Sequence, residues 1–155
     1  MNDDVLMSIQ PRFADAILLG TKTHELRRRF PERLTGAKVY VYASTPARAI
    51  IGSFRIASVD RRPRWWLARM RRRATTLTAR EIYSYLDGQH HGNLVEVSEQ
   101  LRFPRPVPLS DMRRLGLEPP QSYRFLSADL GLELEIAAGL RSRPHTTDCT
   151  PAGPR

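Results

Sequence analysis

Lys22, Glu25 and Arg27 fall within six residues of one another in the run Gly20-Thr-Lys-Thr-His-Glu-Leu-Arg-Arg-Arg29. In an extended segment side chains alternate between faces, so Glu25 and Arg27 point one way while Leu26 points into the opposite, apolar face. To act as a general base near neutral pH, Lys22 would need its pKa lowered by about 3 units from about 10.4, a differential cost of about 4 kcal/mol. Burial and the neighbouring Arg27 push it down, whereas the Glu25 carboxylate pushes it up by stabilising the ammonium form. The spacing therefore favours a charged Lys22 paired with Glu25. A charged lysine is a ligand for phosphate or carbonyl rather than a base. Glu25 can accept from an exocyclic amine and Arg27 can bind phosphate, which makes a recognition site that breaks no bond. The structural alternative is a partly exposed ion-pair cluster that ties a turn to the fold.

These residues must be held by their neighbours. Val5 to Ile9 reads as a first strand, and Pro11 opens a helix whose Phe13, Ala14, Ile17 and Leu18 recur at helical spacing until Gly20. Residues 22–28 form the second strand. Lys38 to Ala43 alternates Val39, Val41 and Ala43 against Tyr40 and Tyr42, as a half-buried strand does. Residues 49–59 form a longer strand in which Gly52 marks a bulge or bend. From Pro63 the period becomes helical, with Trp66, Leu67 and Met70 on one side and arginines on the other. Thr78 and Glu81 form a capping box for a second helix through Leu86, with Gly88 beyond its end.

Strand returns at 93–103, after which Pro104, Pro106 and Pro108 limit Val107 to a short edge segment. Ser110 is expected to cap a helical turn ending near Gly116, and the stiff turn 119–123 to lead into another short helix. Residues 128–138 alternate as a strand would, yet their Leu, Glu and Ala content favours helix, which is the reading adopted. The domain is expected to span 1–140 and a disordered tail 141–155.

The chain of 155 residues suits one core rather than two. Its amino terminus is acidic and it has no long apolar run, so a cytoplasmic location is expected, without a membrane span. The lone Cys149 offers no disulfide framework. Net charge is +9, the basic residues are overwhelmingly arginine, and two clusters stand out among them, 27–29 and 61–73. Clustered guanidinium groups suit phosphate, although such a cluster is also what a solvated helix face looks like. Trp65 and Trp66 could stack on bases or serve as packing anchors. His90 and His91, being adjacent, cannot both face one metal from a regular strand, and His24 lies opposite Glu25 in alternation, so neither metal nor cofactor is expected.

Ser8-Ile-Gln-Pro11, Gly20 to Arg27, Tyr42-Ala-Ser-Thr-Pro46, Ile51-Gly-Ser-Phe54 and the closing Pro119-Pro-Gln-Ser-Tyr123, in that order, resemble the ASCH family over residues 4–126. The resemblance implies an α+β, PUA-like fold: a small mixed β-barrel flanked by helices, here with a helical insertion between strands. It further implies a cleft for RNA or a nucleoside lined by Lys22, Glu25 and Arg27, with Tyr42 and Ser44 as neighbours. Gln121 could reach this cleft or fix the Pro-Pro turn, and Tyr40 or Tyr42 could stack on a base. ASCH-like proteins include RNA-binding modules, ribonucleases and amidohydrolases acting on N4-acetylcytidine. The amidohydrolases are similar to this chain at Lys22 and Arg27 but carry threonine where Glu25 stands. An RNA- or nucleotide-recognising module, with room for a regulatory role through a protein partner at the Arg-Trp helix 63–73, is thus the leading expectation. The alternative is a hydrolase using Lys22 and Glu25.

Overall fold

A computed structural model describes residues 3–144. Six strands form one mixed sheet: β1 (Asp4–Ile9), β2 (His24–Arg27), β3 (Lys38–Ala43), β4 (Ala49–Pro63), β5 (His91–Pro108) and β6 (Tyr123–Leu126), in the order β2-β5-β4-β3-β1-β6. β1 and β3 are parallel and every other pair is antiparallel. The α+β class is as expected, but the sheet is open, with β2 and β6 at its two edges, rather than closed into a barrel.

The helices cover the sheet in three places. α1 (Pro11–Leu19) buries Ala14 and Ile17 against Val5, Val39, Val41 and Phe54. On the other face, α5 (Leu109–Arg114) and α6 (Ala128–Ala137) bury Met112 and Leu134 beside Leu6, Tyr40 and Phe103. The insertion between β4 and β5 comprises α2 (Arg64–Met70), α3 (Arg72–Thr75) and α4 (Ala79–Tyr85). It packs Leu67, Ile82 and Leu86 on Leu26 and Leu94. Both faces of β3 are therefore buried, not one, because helices lie above and below it.

Gly52 does sit at an irregularity. Val41 faces Gly52 and Tyr42 faces Ile50, so Ile51 is an extra residue in the ladder. A Cβ at Gly52 would lie 2.5 Å from the Leu101 carbonyl oxygen, so no side chain fits there. The Thr78–Glu81 capping box forms in full, with the Thr78 hydroxyl accepting from Glu81 N and the Glu81 carboxylate accepting from Thr78 N.

Several expectations are corrected. Tyr123–Leu126 is a strand rather than a helix, since the free edge of β1 offers its backbone a partner. Val107 is a buried residue at the end of the long β5, opposite Ile50, rather than part of a separate short segment, and it pairs with a neighbouring strand on one side only. Pro104 and Pro106 are tolerated because pairing with β4 jumps from Arg102 to Val107 and β2 flanks only residues 93–96, and Pro108 is the last residue of the strand. Ser110 caps nothing: α5 starts after Pro108 without a side-chain cap. Met70, at the end of α2, is exposed while Leu67 is buried. At the end of the described residues, Arg141 and Arg143 make surface ion pairs with Glu135 and Glu133. Residues 145–155, including Cys149, lie outside the described residues. No helix among those described is long and apolar enough to cross a membrane.

Candidate functional site

Local sequence aims Lys22 inward. Gly20 ends α1 in the left-handed conformation, φ 84°, which an L side chain rarely adopts. The chain then folds back so that the Ala16 carbonyl accepts from both Thr21 N and Lys22 N, at 3.0 and 3.1 Å. Thr23 N next donates to Ala74 O at the end of α3. The lysine side chain is thereby enclosed between α1, α3 and β2, with 1% of its surface exposed. Two residues on, β2 begins, and its alternation sends Leu26 into the core beneath the insertion and Glu25 and Arg27 into the opposite cleft.

Lys22 Nζ donates to the Thr75 carbonyl, lies 3.5 Å from Glu25 Oε2 and sits 4.7 Å from the centre of the Phe13 ring. Arg27 Nη2 is 3.2 Å from Glu25 Oε1 and donates to the Ser8 carbonyl at 2.8 Å, and Nη1 reaches Ser122 Oγ at 3.4 Å. Glu25 and Arg27 are each 7% exposed. This is a buried Lys–Glu–Arg set, not the partly exposed cluster considered above. One carboxylate serves two cations, so the floor keeps an excess of positive charge. Arg27 Nε is buried with no hydrogen-bond partner among the described residues. Burial outweighs the Glu25 carboxylate at Lys22 and holds its pKa below the ordinary lysine value, the reverse of the net effect expected from spacing alone.

Lys22, Glu25, Arg27, Tyr42, Ser44 and Gln121 all line one cleft of about 1270 Å³. Tyr42 is almost wholly buried, Ser44 half-buried and Gln121 exposed. Sequence reasoning missed the far wall, where α4 contributes Arg80, Ser84 and Tyr85, because solvent-facing helix positions carry no periodic signal. It also passed over Phe13, Ser8 and Ser122, although both serines stand in the motif segments. Ser8 Oγ donates to Pro120 O at 2.6 Å and Ser8 N to Ser122 O at 3.0 Å, so the first and last motifs meet at the cleft.

Other candidates lie elsewhere. Tyr40 is turned into the core, where its hydroxyl donates to Gly131 O at 3.2 Å. Of the second arginine cluster, none lines this cleft, and Arg61 alone lines the cavity that adjoins it. Arg62 and Arg71 lie over the Trp66 ring at 5.0 and 4.7 Å, which makes Trp66 a packing anchor against the insertion. Trp65 is exposed and outside the cleft. His24 Nδ1 is 2.9 Å from Thr23 Oγ1. No group of three or more His, Cys, Asp or Glu among the described residues could hold a metal ion.

A sheet of this order, with its motif-bearing turn, is the architecture of a known class of domain. The ASCH domain model matches residues 7–98, and the chain belongs to the ASCH domain family. It is 27% identical over 125 residues to an ASCH domain-containing ribonuclease of Zymomonas mobilis, a match covering 79% of this chain and 84% of that protein. The crystal structure of ASCH from Zymomonas mobilis superposes with a TM-score of 0.79 at 26% identity, covering 85% of this chain and 93% of that one. The N-terminal domain of Staphylothermus marinus McrB shares the fold alone, with a TM-score of 0.53 at 11% identity over 92% of this chain and 99% of that chain.

Proposed function

We propose that the cleft recognises RNA, with one nucleotide seated on the Lys22–Glu25–Arg27 floor. The observation that carries this reading is the charge and hydrogen-bond imbalance of that floor: two buried cations to one carboxylate, with Arg27 Nε left without a partner. An anionic ligand corrects both deficits at once, since a phosphate oxygen accepts from guanidinium and ammonium groups. Glu25 remains an acceptor for an exocyclic base amine, Tyr42 lines the cleft from its largely buried position, and Ser44 and Gln121 offer polar contacts at the rim. Bases stacked in a duplex do not reach so deep a floor, so the ligand is single-stranded or splayed. With RNA as ligand, we read the protein as cytoplasmic.

The ribonuclease name of the Zymomonas mobilis relative and the depressed pKa of Lys22 favour a second reading, RNA cleavage. In such a reaction the 2′-hydroxyl attacks the adjacent phosphorus and gives its proton to a base, for which Glu25 is placed. The 5′-oxygen leaves with a proton from an acid, for which Lys22 is placed, and Arg27 faces the charge on the phosphorane.

Both readings are tested by measuring binding to an RNA panel and incubating the protein with labelled RNA and with acetylated cytidine, with and without divalent metal. Recognition predicts saturable binding that weakens at least tenfold in Lys22→Met and Arg27→Ala without cleavage of either substrate. RNA cleavage lost in Lys22→Met and Glu25→Gln identifies the ribonuclease, and deacetylation of the cytidine would favour the amidohydrolase instead. No binding across the panel overturns the RNA reading.

A further inference from the structure

A second cavity of about 980 Å³ adjoins the cleft and shares Arg28, Arg29, Gln89 and Ser122 with it. It continues past them to Arg61, His90, His91 and Tyr123, and no Asp or Glu lines it. Arg29 and Arg61 are exposed and make no ion pair with the described residues, in contrast to Arg27, Arg62 and Arg12, which all do.

The sheet makes the two cavities one track. Arg27 on β2 stands opposite Asn93 on β5, and Asn93 stands opposite Arg61 on β4, so the three lie in one row across neighbouring strands. Directly opposed residues point to the same face, and strands lie about 4.8 Å apart, which sets the Arg27 and Arg61 backbones about 10 Å apart on a common face. Asn93 Nδ2 donates to Arg28 O at 3.1 Å and fixes the segment that carries Arg28 and Arg29 over this row. Cations thus continue from the buried floor outward in one direction, over a distance greater than one nucleotide needs.

We propose that the second cavity is a subsite for the neighbouring nucleotide, with its phosphate held by Arg29 and Arg61, so that the ligand class is a single-stranded oligonucleotide rather than a free nucleoside or mononucleotide. This rests on the reading of the first cleft as an RNA site. The half-exposed ring of Tyr123, 5.0 Å from that of Phe30, supplies an apolar wall against which a base can lie. The first cleft reads one residue at depth, and the second recruits the adjoining nucleotide through its phosphate, without regard to sequence.

The test compares the affinities of the four nucleoside monophosphates with that of a randomised 2′-fluoro RNA hexamer, which offers no 2′-hydroxyl for cleavage, across a salt series. The expected result is a gain of at least tenfold from monophosphate to hexamer. Arg61→Ala should cut that gain three- to tenfold and flatten the salt dependence of the hexamer by about 0.7 in log–log slope for the phosphate contact removed. Arg61→Lys should restore the slope. If Arg61→Ala lowers monophosphate and hexamer affinity by the same factor, or leaves the hexamer slope unchanged, the subsite is overturned while the first cleft stands. If the native protein binds neither probe, the reading of the cleft itself has failed and the subsite with it.

Discussion

At the residue scale, the defining feature is a carboxylate shared by two buried cations. Removing one partner of a buried pair leaves an uncompensated charge in a poorly solvated place. Glu25→Ala strands both Lys22 and Arg27, and is expected to destabilise the fold by about 3–5 kcal/mol in urea unfolding, more than Glu25→Gln, which keeps an acceptor. Lys22 gives a second, pH-dependent outcome. Its pKa in the folded chain lies below the ordinary 10.5 because it is buried, so on raising the pH the native state releases this proton before the unfolded chain does. Across that window the unfolded state holds more protons, and this group's contribution to stability rises with pH until 10.5 is passed. Lys22 and Lys38 are the only lysines. A ¹⁵N-lysine NMR titration therefore has two signals, assigned by Lys22→Arg, and the Lys22 signal is expected to titrate below 10.5.

At the element scale, the cleft lies between β2, the ends of β1 and β3 with the 119–122 turn, the start of α1, and helix α4 of the insertion. α4 supplies the outer wall and is held at its first turn by the Thr78–Glu81 box and by Arg12 of α1, whose Nη2 donates to Glu81 Oε1 at 2.9 Å. Thr78→Ala removes an N-cap acceptor and is expected to cost about 1 kcal/mol. Because α4 carries Arg80, Ser84 and Tyr85 into the cleft, hydrogen exchange of its amides should accelerate in that variant while β3 and β4 stay protected. The same box was legible in the sequence because its two partners are three residues apart. The β6 strand was not, since its partner β1 lies more than a hundred residues away and only the free edge of the assembled sheet decides between strand and helix. The stretch 128–138 shows the converse: its alternating leucines suggest a strand, but Ser127 caps it and Gly131 brings it against Tyr40, so it is a helix.

At the scale of the whole molecule, a charge of +9 matters through its placement. Arg62, Arg64 and Arg71 of the second cluster lie over aromatic rings of the insertion, while Arg28, Arg29, Arg61 and Arg80 surround the two cavities without ion pairs to the described residues. If about four phosphates are neutralised along a single strand, log affinity should fall against log salt with a slope of about −3, measurable between 50 and 200 mM by fluorescence anisotropy. A slope near zero would count against phosphate recognition altogether, at the floor as well as at the arginine surround.

The sequence by itself determined the family, the Gly20 turn, the facing of Glu25 and Arg27 against Leu26, the Gly52 irregularity and the capping box. The family rests on the order of short segments along the chain; each of the others depends on neighbours a few residues apart, whose spacing alone sets the local conformation. Only the tertiary structure decided that the sheet stays open, that β6 is a strand and that Val107 is buried. It also decided that Trp66 is clamped by arginines rather than available to a base. It likewise decided the electrostatic state of Lys22, because desolvation comes from α1, α3 and the Phe13 ring closing over the ammonium group, and burial of that kind exists only once distant segments have packed together.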